Sequence, residues 1–257
     1  MVSGFVMPPS NPCVLVVDVQ LDYFDLRNGI GTINKAFCVP GLRVFLRTAR
    51  ECGWRVIHVV TEHTGVESLP RLLREPPPGS GPPVVYCPEG KAGAAILDGI
   101  RLPHEPVVVK RGFSAFDGTL LEKCIADTDD VFLTGIAVDC CLLHSAFDAG
   151  SRFNKRVHVP FQAVSASTTE AYLFGLEAMS KSVARIIDLR DLLGIQDGNY
   201  DPQKADLAPK KRWACWYGRQ VSSTRDLKDA YTKELESGVN RAVAVLEPVI
   251  DLGRQGD

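Results

Sequence analysis

The chain has 257 residues, 45% hydrophobic and 23% charged, enough for one large α/β domain with an appendage and for a core that needs no covalent staple. Its formal net charge of −2 gives no bulk attraction to nucleic acid or to an anionic membrane, so neither is expected as a partner. No apolar run reaches the roughly 18–20 residues of a membrane span, and the opening MVSGFVMPPSNPC lacks the basic-then-apolar pattern of a signal peptide.

Residues 13–18 (CVLVVD) form a continuous apolar run ending in Asp, the pattern of a strand buried on both faces of a parallel sheet. After a loop with Gly29 and Gly31, Pro40 opens a helical pattern whose Leu42, Phe45, Leu46 and Ala49 share one face and which Gly53 ends. A second strand follows at 54–60. Residues 62–105 contain PPPGSGPP and read mostly as loop, with a short helix expected at 91–99. Further strands are expected at 106–110, 130–134, 155–159 and 183–187, and helices at 120–126, 140–150 and 168–181. This alternation predicts a three-layer, doubly wound parallel sheet of about six strands with helices on both faces. In such a sheet ligands bind beyond the carboxyl ends of the strands. Asp18, Lys110 and the segment before Cys141 lie at such ends, on the first, third and fourth strands, and the first and fourth should flank the topological switch point.

After about residue 194 the pattern changes. NYDPQKADLAPKKRWACWYGRQ reads as irregular and basic, and Ser223 can cap a helix with Leu227, Tyr231, Leu235, Val239 and Val243 along one stripe. The expected organisation is one domain over 1–194 and an extension over 195–257 that is not a second domain.

Eight cysteines are scattered with no CxxC pair, which fits reduced thiols and a cytoplasmic location. Cys141 begins a helix directly after the fourth strand, where the helix dipole and free N–H groups favour a thiolate and can hold an oxyanion. Position alone more often describes a small buried residue, and that reading is given to Cys140, since adjacent helix residues do not both face one crevice. Asp18 ends an apolar strand, where a carboxylate is costly unless it is hydrogen-bonded or functional. It suits a base that takes a thiol proton, or a residue that pins the following loop. Lys110 can hold Asp18 and a thiolate charged, or begin a solvated Lys110-Arg111 pair.

Three segments decide among these alternatives. VLVVDVQLDYF resembles the DxQxDF opening of isochorismatase-like cysteine hydrolases, VVVKRGFSAFDGTLLE resembles their KxxxSAFxxTxL segment, and LTGIAVDCCLLHSAFDAG resembles their GxxTDxCVxxTAxDA segment, placing the family cysteine on Cys141. Their order and spacing agree over roughly residues 11–194. The resemblance implies an Asp18–Lys110–Cys141 triad, a covalent acyl-enzyme, a cis peptide before Ala137, and the amides of Ala137 and Cys141 as oxyanion donors. It also implies a homo-oligomer. The apolar stripe of the extension needs a cover, expected to be a neighbouring subunit with Trp213 and Trp216 as anchors; the alternatives are an arm folded back on its own domain, or a lid. Val138 and Leu142 depart mildly from the family pattern, and Gln162 stands where Asp is common.

Nicotinamidases of this family carry an Asp-x-His and further histidines beyond the second strand. TEHTGVES offers Glu62 and His63, and His58, His104, His144 and His158 do not supply the ligand spacing, so no metal and no cofactor are expected. Phe24, Thr61, His63, Phe113 and Phe116 are candidates to shape the pocket, and Arg111 to meet a substrate carboxylate. The sequence reads as an amidohydrolase acting on a small linear amide, N-carbamoyl or ureido compound. The alternatives are an isochorismatase-type vinyl-ether hydrolase, a nicotinamidase, or a non-catalytic binder of a small molecule or partner.

Overall fold

The computed structural model describes residues 11–28, 30–190 and 210–224, with a few positions between 233 and 244. Its strands are β1 (Cys13–Val17), β2 (Arg55–Thr61), β3 (Val107–Lys110), β4 (Asp130–Ile136), β5 (Arg156–Pro160), β6 (Val164–Ser165) and β7 (Ala184–Ile187). They pair in parallel in the order β3-β2-β1-β4-β5-β7, with β6 joined to β4. The sheet therefore has seven strands where about six were expected. The addition is the two-residue β6, too short to leave a periodic signal. The chain runs outward from β1 to β3, returns to β4 on the other side of β1, and so places its switch point between β1 and β4.

Every residue of β1 and β4 is buried, as strands covered by helices on both faces require. Helix α1 (Cys38–Glu51) covers one face through the stripe read from the sequence: Leu42, Phe45, Leu46 and Ala49 are all buried. The helix expected at 91–99 is only a 3-10 turn at Ala92–Ala94, and the 62–105 segment adds the one-turn α2 (Arg71–Arg74). Helix α3 (Leu121–Cys124) is likewise one turn, and α4 (Cys141–Phe147) passes into a π turn at Asp148–Arg152. Thr168 caps α5 (Thr169–Ser180), its hydroxyl accepting from the Ala171 amide. No helix among the described residues is long and apolar enough to cross a membrane.

The extension differs in part from expectation. Of the basic segment read as irregular, residues 210–220 lie in helix α6 (Lys210–Thr224) and residues 199–209 lie outside the described residues, while Ser223, expected as a helix cap, falls within the last turn of α6. Trp213, Trp216, Tyr217 and Gln220 recur at helical spacing and are all buried against the chain's own domain. Tyr217 stacks on Tyr172 of α5 with ring centroids 4.0 Å apart, and its hydroxyl donates to the Ala166 carbonyl. Trp216 meets Phe161 edge-on at 5.8 Å. Trp213 and Trp216 thus belong to the chain's own core cluster, where Trp216 meets the rings of Phe161 and Tyr172. Of the later stripe, Val239 and Val243 are buried, while Leu227, Tyr231 and Leu235 lie outside the described residues.

Because Trp216 is 1% exposed within this aromatic cluster, Trp216→Ala should lower the unfolding free energy by about 3–5 kcal/mol. Chemical denaturation measures this, and a loss below about 1 kcal/mol would mean that α6 contributes little to the core.

Candidate active site

Three strand ends converge on one buried ammonium. Asp18 follows β1 in a left-handed conformation (φ 55°), and its N–H is tied to the Val59 carbonyl at 2.8 Å. Thr61 ends β2 and Lys110 ends β3, in register with one another. The Thr61 hydroxyl donates to Asp18 Oδ1 at 2.8 Å and accepts from Lys110 Nζ at 2.7 Å. Lys110 Nζ also donates to the Gly112 carbonyl at 3.1 Å, stands 3.0 Å from Asp18 Oδ2 and lies 3.4 Å from Cys141 Sγ. Oδ2 accepts no aligned hydrogen bond among the described residues, so the ion pair leaves it a free lone pair. Gln20, fully buried, fixes the end of β2 by donating to the Thr61 and Ala94 carbonyls and accepting from the Thr61 N–H.

Cys141 arrives from the other side of the switch point. Gly135 on β4 has φ 99°, and a Cβ there would lie 2.1 Å from the Val17 carbonyl oxygen, so β4 presses flat against the end of β1. The Ile136–Ala137 peptide beyond it is cis. The Ala137 carbonyl accepts from the N–H groups of Cys140 and Leu142, and the Val138 N–H is held by the Ser165 carbonyl, so the turn carries Cys141 rigidly into the first turn of α4.

Burial alone would lower the Lys110 ammonium, but the Asp18 carboxylate and the Cys141 sulfur hold it above its ordinary range. The Cys141 thiol is pushed well up by its contact with the Cys140 sulfur, by burial and by the Asp18 carboxylate, with Lys110 pulling the other way. At Cys141 the contact with Cys140, the burial and the nearby carboxylate thus oppose the pull of Lys110 and of the start of a seven-residue helix toward a thiolate.

These groups form the floor of a cavity of about 420 Å³. Thr61, His63, Arg111 and Phe113 contribute to its lining, as the sequence suggested. Thr61 does so from behind the ion pair, which it bridges. His63 is 2% exposed and set edge-on to Tyr86 at 4.6 Å, and burial and the Lys110 charge lower its basicity. Arg111 sits at the rim, donating to the Glu62 carbonyl at 3.2 Å and 3.6 Å from Glu89. Phe24 and Phe116 do not line the cavity. Phe24 is fully buried in the core, and Phe116 packs on Phe153 at 4.7 Å, because both turn inward to complete the apolar layer under the sheet. Cys140 does line it beside Cys141: as the residue before the helix it has φ −132° and ψ −97°, so the rule that adjacent helical residues diverge does not apply. Sequence reasoning missed Tyr23, Lys35, Tyr86, Leu72, Leu73 and Asp139. Only Tyr23 and Asp139 carried a signal, each standing inside a recognised motif.

Among the described residues no three His, Cys, Asp or Glu side chains cluster as metal ligands. The donor set around His63 does not fit a zinc site: its Nδ1 is 3.2 Å from the Ser68 hydroxyl, and the neighbouring wall is Tyr86.

The isochorismatase domain family matches residues 12–191. An Arabidopsis thaliana protein described as a probable inactive nicotinamidase is 26% identical over 189 residues, covering 71% of this chain and 89% of that protein. A cysteine hydrolase from Pseudomonas syringae pv. phaseolicola 1448A shares the fold with a TM-score of 0.64 at 16% identity, over 78% of this chain and 100% of that one. A pyrazinamidase of Pyrococcus horikoshii, solved in complex with zinc, does so with a TM-score of 0.59 at 22% identity, over 69% and 99%. The parallel sheet, its switch point and the matched span lead to one conclusion: the chain belongs to the isochorismatase family of hydrolases.

Proposed function

We propose that this hydrolase is a cysteine amidohydrolase that cleaves a C–N bond in a small amide, N-carbamoyl or ureido compound. The observation that carries the reading is the buried ion pair, with Lys110 Nζ 3.0 Å from Asp18 and 3.4 Å from Cys141 Sγ on the cavity floor. A protonated thiol beside a carboxylate with a free lone pair needs that carboxylate as its base. Asp18 Oδ2 takes the Sγ proton as the sulfur attacks the carbonyl carbon, and Lys110 keeps the carboxylate and the developing thiolate in one field. The carbonyl oxygen becomes an oxyanion held by the N–H groups of Ala137 and Cys141. Collapse breaks the C–N bond, and Asp18 returns its proton to the leaving nitrogen. Water, deprotonated by Asp18, then attacks the thioester, and the proton goes back to the sulfur as the acid leaves.

A second reading, an aromatic carboxamide substrate, is favoured by the rings of Tyr23, Tyr86 and Phe113 on the cavity wall. Both readings use the same floor and are separated by a panel of amides and ureides scored for released ammonia.

Cys141→Ala should abolish turnover by several powers of ten, while Cys140→Ala should keep most of it. A thioester adduct found by mass spectrometry on Cys140 would reverse the assignment. Asp18→Asn and Lys110→Met should each cost nearly as much as the two combined, since members of one catalytic unit are not additive. Additive losses in ln(kcat/KM) would mean separate structural roles. Because the donor set does not suit zinc, EDTA should leave the rate unchanged, whereas inactivation reversed by zinc would favour a metal-dependent nicotinamidase.

A further inference from the structure

Lys35 is the charged group of the cavity wall that the proposed chemistry does not use. It lies in the 3-10 turn Ile33–Phe37, is 6% exposed and lines the same cavity as Cys141. Its Nζ donates one hydrogen bond, to the Ile30 carbonyl at 2.6 Å, and sits 5.4 Å from the centre of the Tyr23 ring. An ammonium has three donors. No carboxylate of the described residues lies within ion-pair distance of this one, and Asp139 acts on it only from farther off. Burial lowers its basicity, as expected for a charge taken from water without a counter-ion. Such a group is costly in an apolar wall unless something supplies the opposite charge. The other candidate cations are engaged: Lys110 by Asp18, Thr61 and Gly112 on the floor, and half-exposed Arg111 by Glu62 and Glu89 at the rim.

We propose that Lys35 is the subsite for a carboxylate on the substrate, so that the amide cleaved at Cys141 belongs to an acid, such as an N-carbamoyl amino acid or the monoamide of a dicarboxylic acid. This rests on the amidohydrolase reading and narrows its substrate class. The carboxylate takes the two remaining Nζ donors. The body between the two polar ends lies against Tyr23, Tyr86 and Phe113, which selects an apolar or aromatic side chain. A charge-assisted hydrogen bond formed away from water discriminates strongly against an analogue that lacks the anion.

The probes are N-carbamoylphenylalanine and phenethylurea, which differ by one carboxylate. Binding is measured by calorimetry on full-length Cys141→Ala protein, and turnover as ammonia release by the wild type. The acid should bind at least about 10-fold more tightly than the neutral urea. Lys35→Met should weaken the acid by about 10- to 100-fold, chiefly in KM, and leave the neutral probe nearly unchanged, and Lys35→Arg should restore part of the loss. Lys35→Gln, which keeps a donor to Ile30, separates loss of charge from loss of the loop contact and should behave as Lys35→Met. Equal binding of the two probes, or an equal loss for both on substitution of Lys35, would overturn the subsite. If neither probe is hydrolysed yet the acid still binds through Lys35, the subsite stands and the amidohydrolase reading is what fails.

Discussion

The burial of one ammonium constrains everything around it. Lys110 is 1% exposed, and a charge so enclosed persists only if its field is answered on nearly every side. The answer comes from separate parts of the chain: a carboxylate after β1, a hydroxyl at the end of β2, a carbonyl just beyond β3 and a sulfur past β4. Each must arrive with sub-ångström tolerance, and the surrounding devices serve that demand. Gln20 locks Thr61 by its own backbone, Asp18 takes a left-handed conformation to turn its carboxylate back over the sheet, and Gly135 lets β4 close on β1. Apolar strands buried on both faces make the sheet stiff enough to hold these positions.

In the proposed mechanism the same arrangement puts the burden of activation on the carboxylate. A thiol raised in basicity by its contact with Cys140, by burial and by a neighbouring anion is a poor nucleophile until its proton leaves, and the carboxylate paired with Lys110 is Asp18. In that mechanism the positive charge of Lys110 would lower the barrier by staying still, without exchanging protons itself. Such a division of labour, with one group moving the proton and another holding the field, would account for an ion pair that is otherwise a costly way to fill a core.

Much of this was legible in the sequence because it is written in short local patterns. CVLVVD, PVVVK and DVFLT are apolar runs that end in a polar group, and a parallel sheet converts such endings into neighbours across a switch point. The α1 stripe likewise survives folding unchanged. What escaped depends on contacts between distant segments. Lys35 reads as one more basic residue until the 3-10 turn at 33–37 buries it behind Tyr23, and Tyr86 sits in a Pro-rich stretch with no periodicity to orient it. Helix α6 was hidden differently: its face of Trp213, Trp216, Tyr217 and Gln220 is helical in spacing, but the flanking KKR and the proline at 209 gave the segment the composition of a loop. Cys140 misled for the opposite reason, since a rule about helix faces was applied to a residue standing just outside the helix.

The aromatic stack beneath α6 also bears on how the chain is made. Phe161 and Tyr172 belong to the middle of the polypeptide, whereas the rings that cover them, Trp216 and Tyr217, come after β7 in the order of synthesis. On the ribosome the strands through β7 emerge before Trp216 and Tyr217, so Phe161 and Tyr172 lack these two covering rings until residues 210–224 follow. At about 5–20 residues per second that interval lasts seconds, long against helix formation and hydrophobic collapse. The nascent protein thus has an interval in which its sheet can assemble before these rings are covered, and a chain lacking α6 would leave that apolar surface exposed.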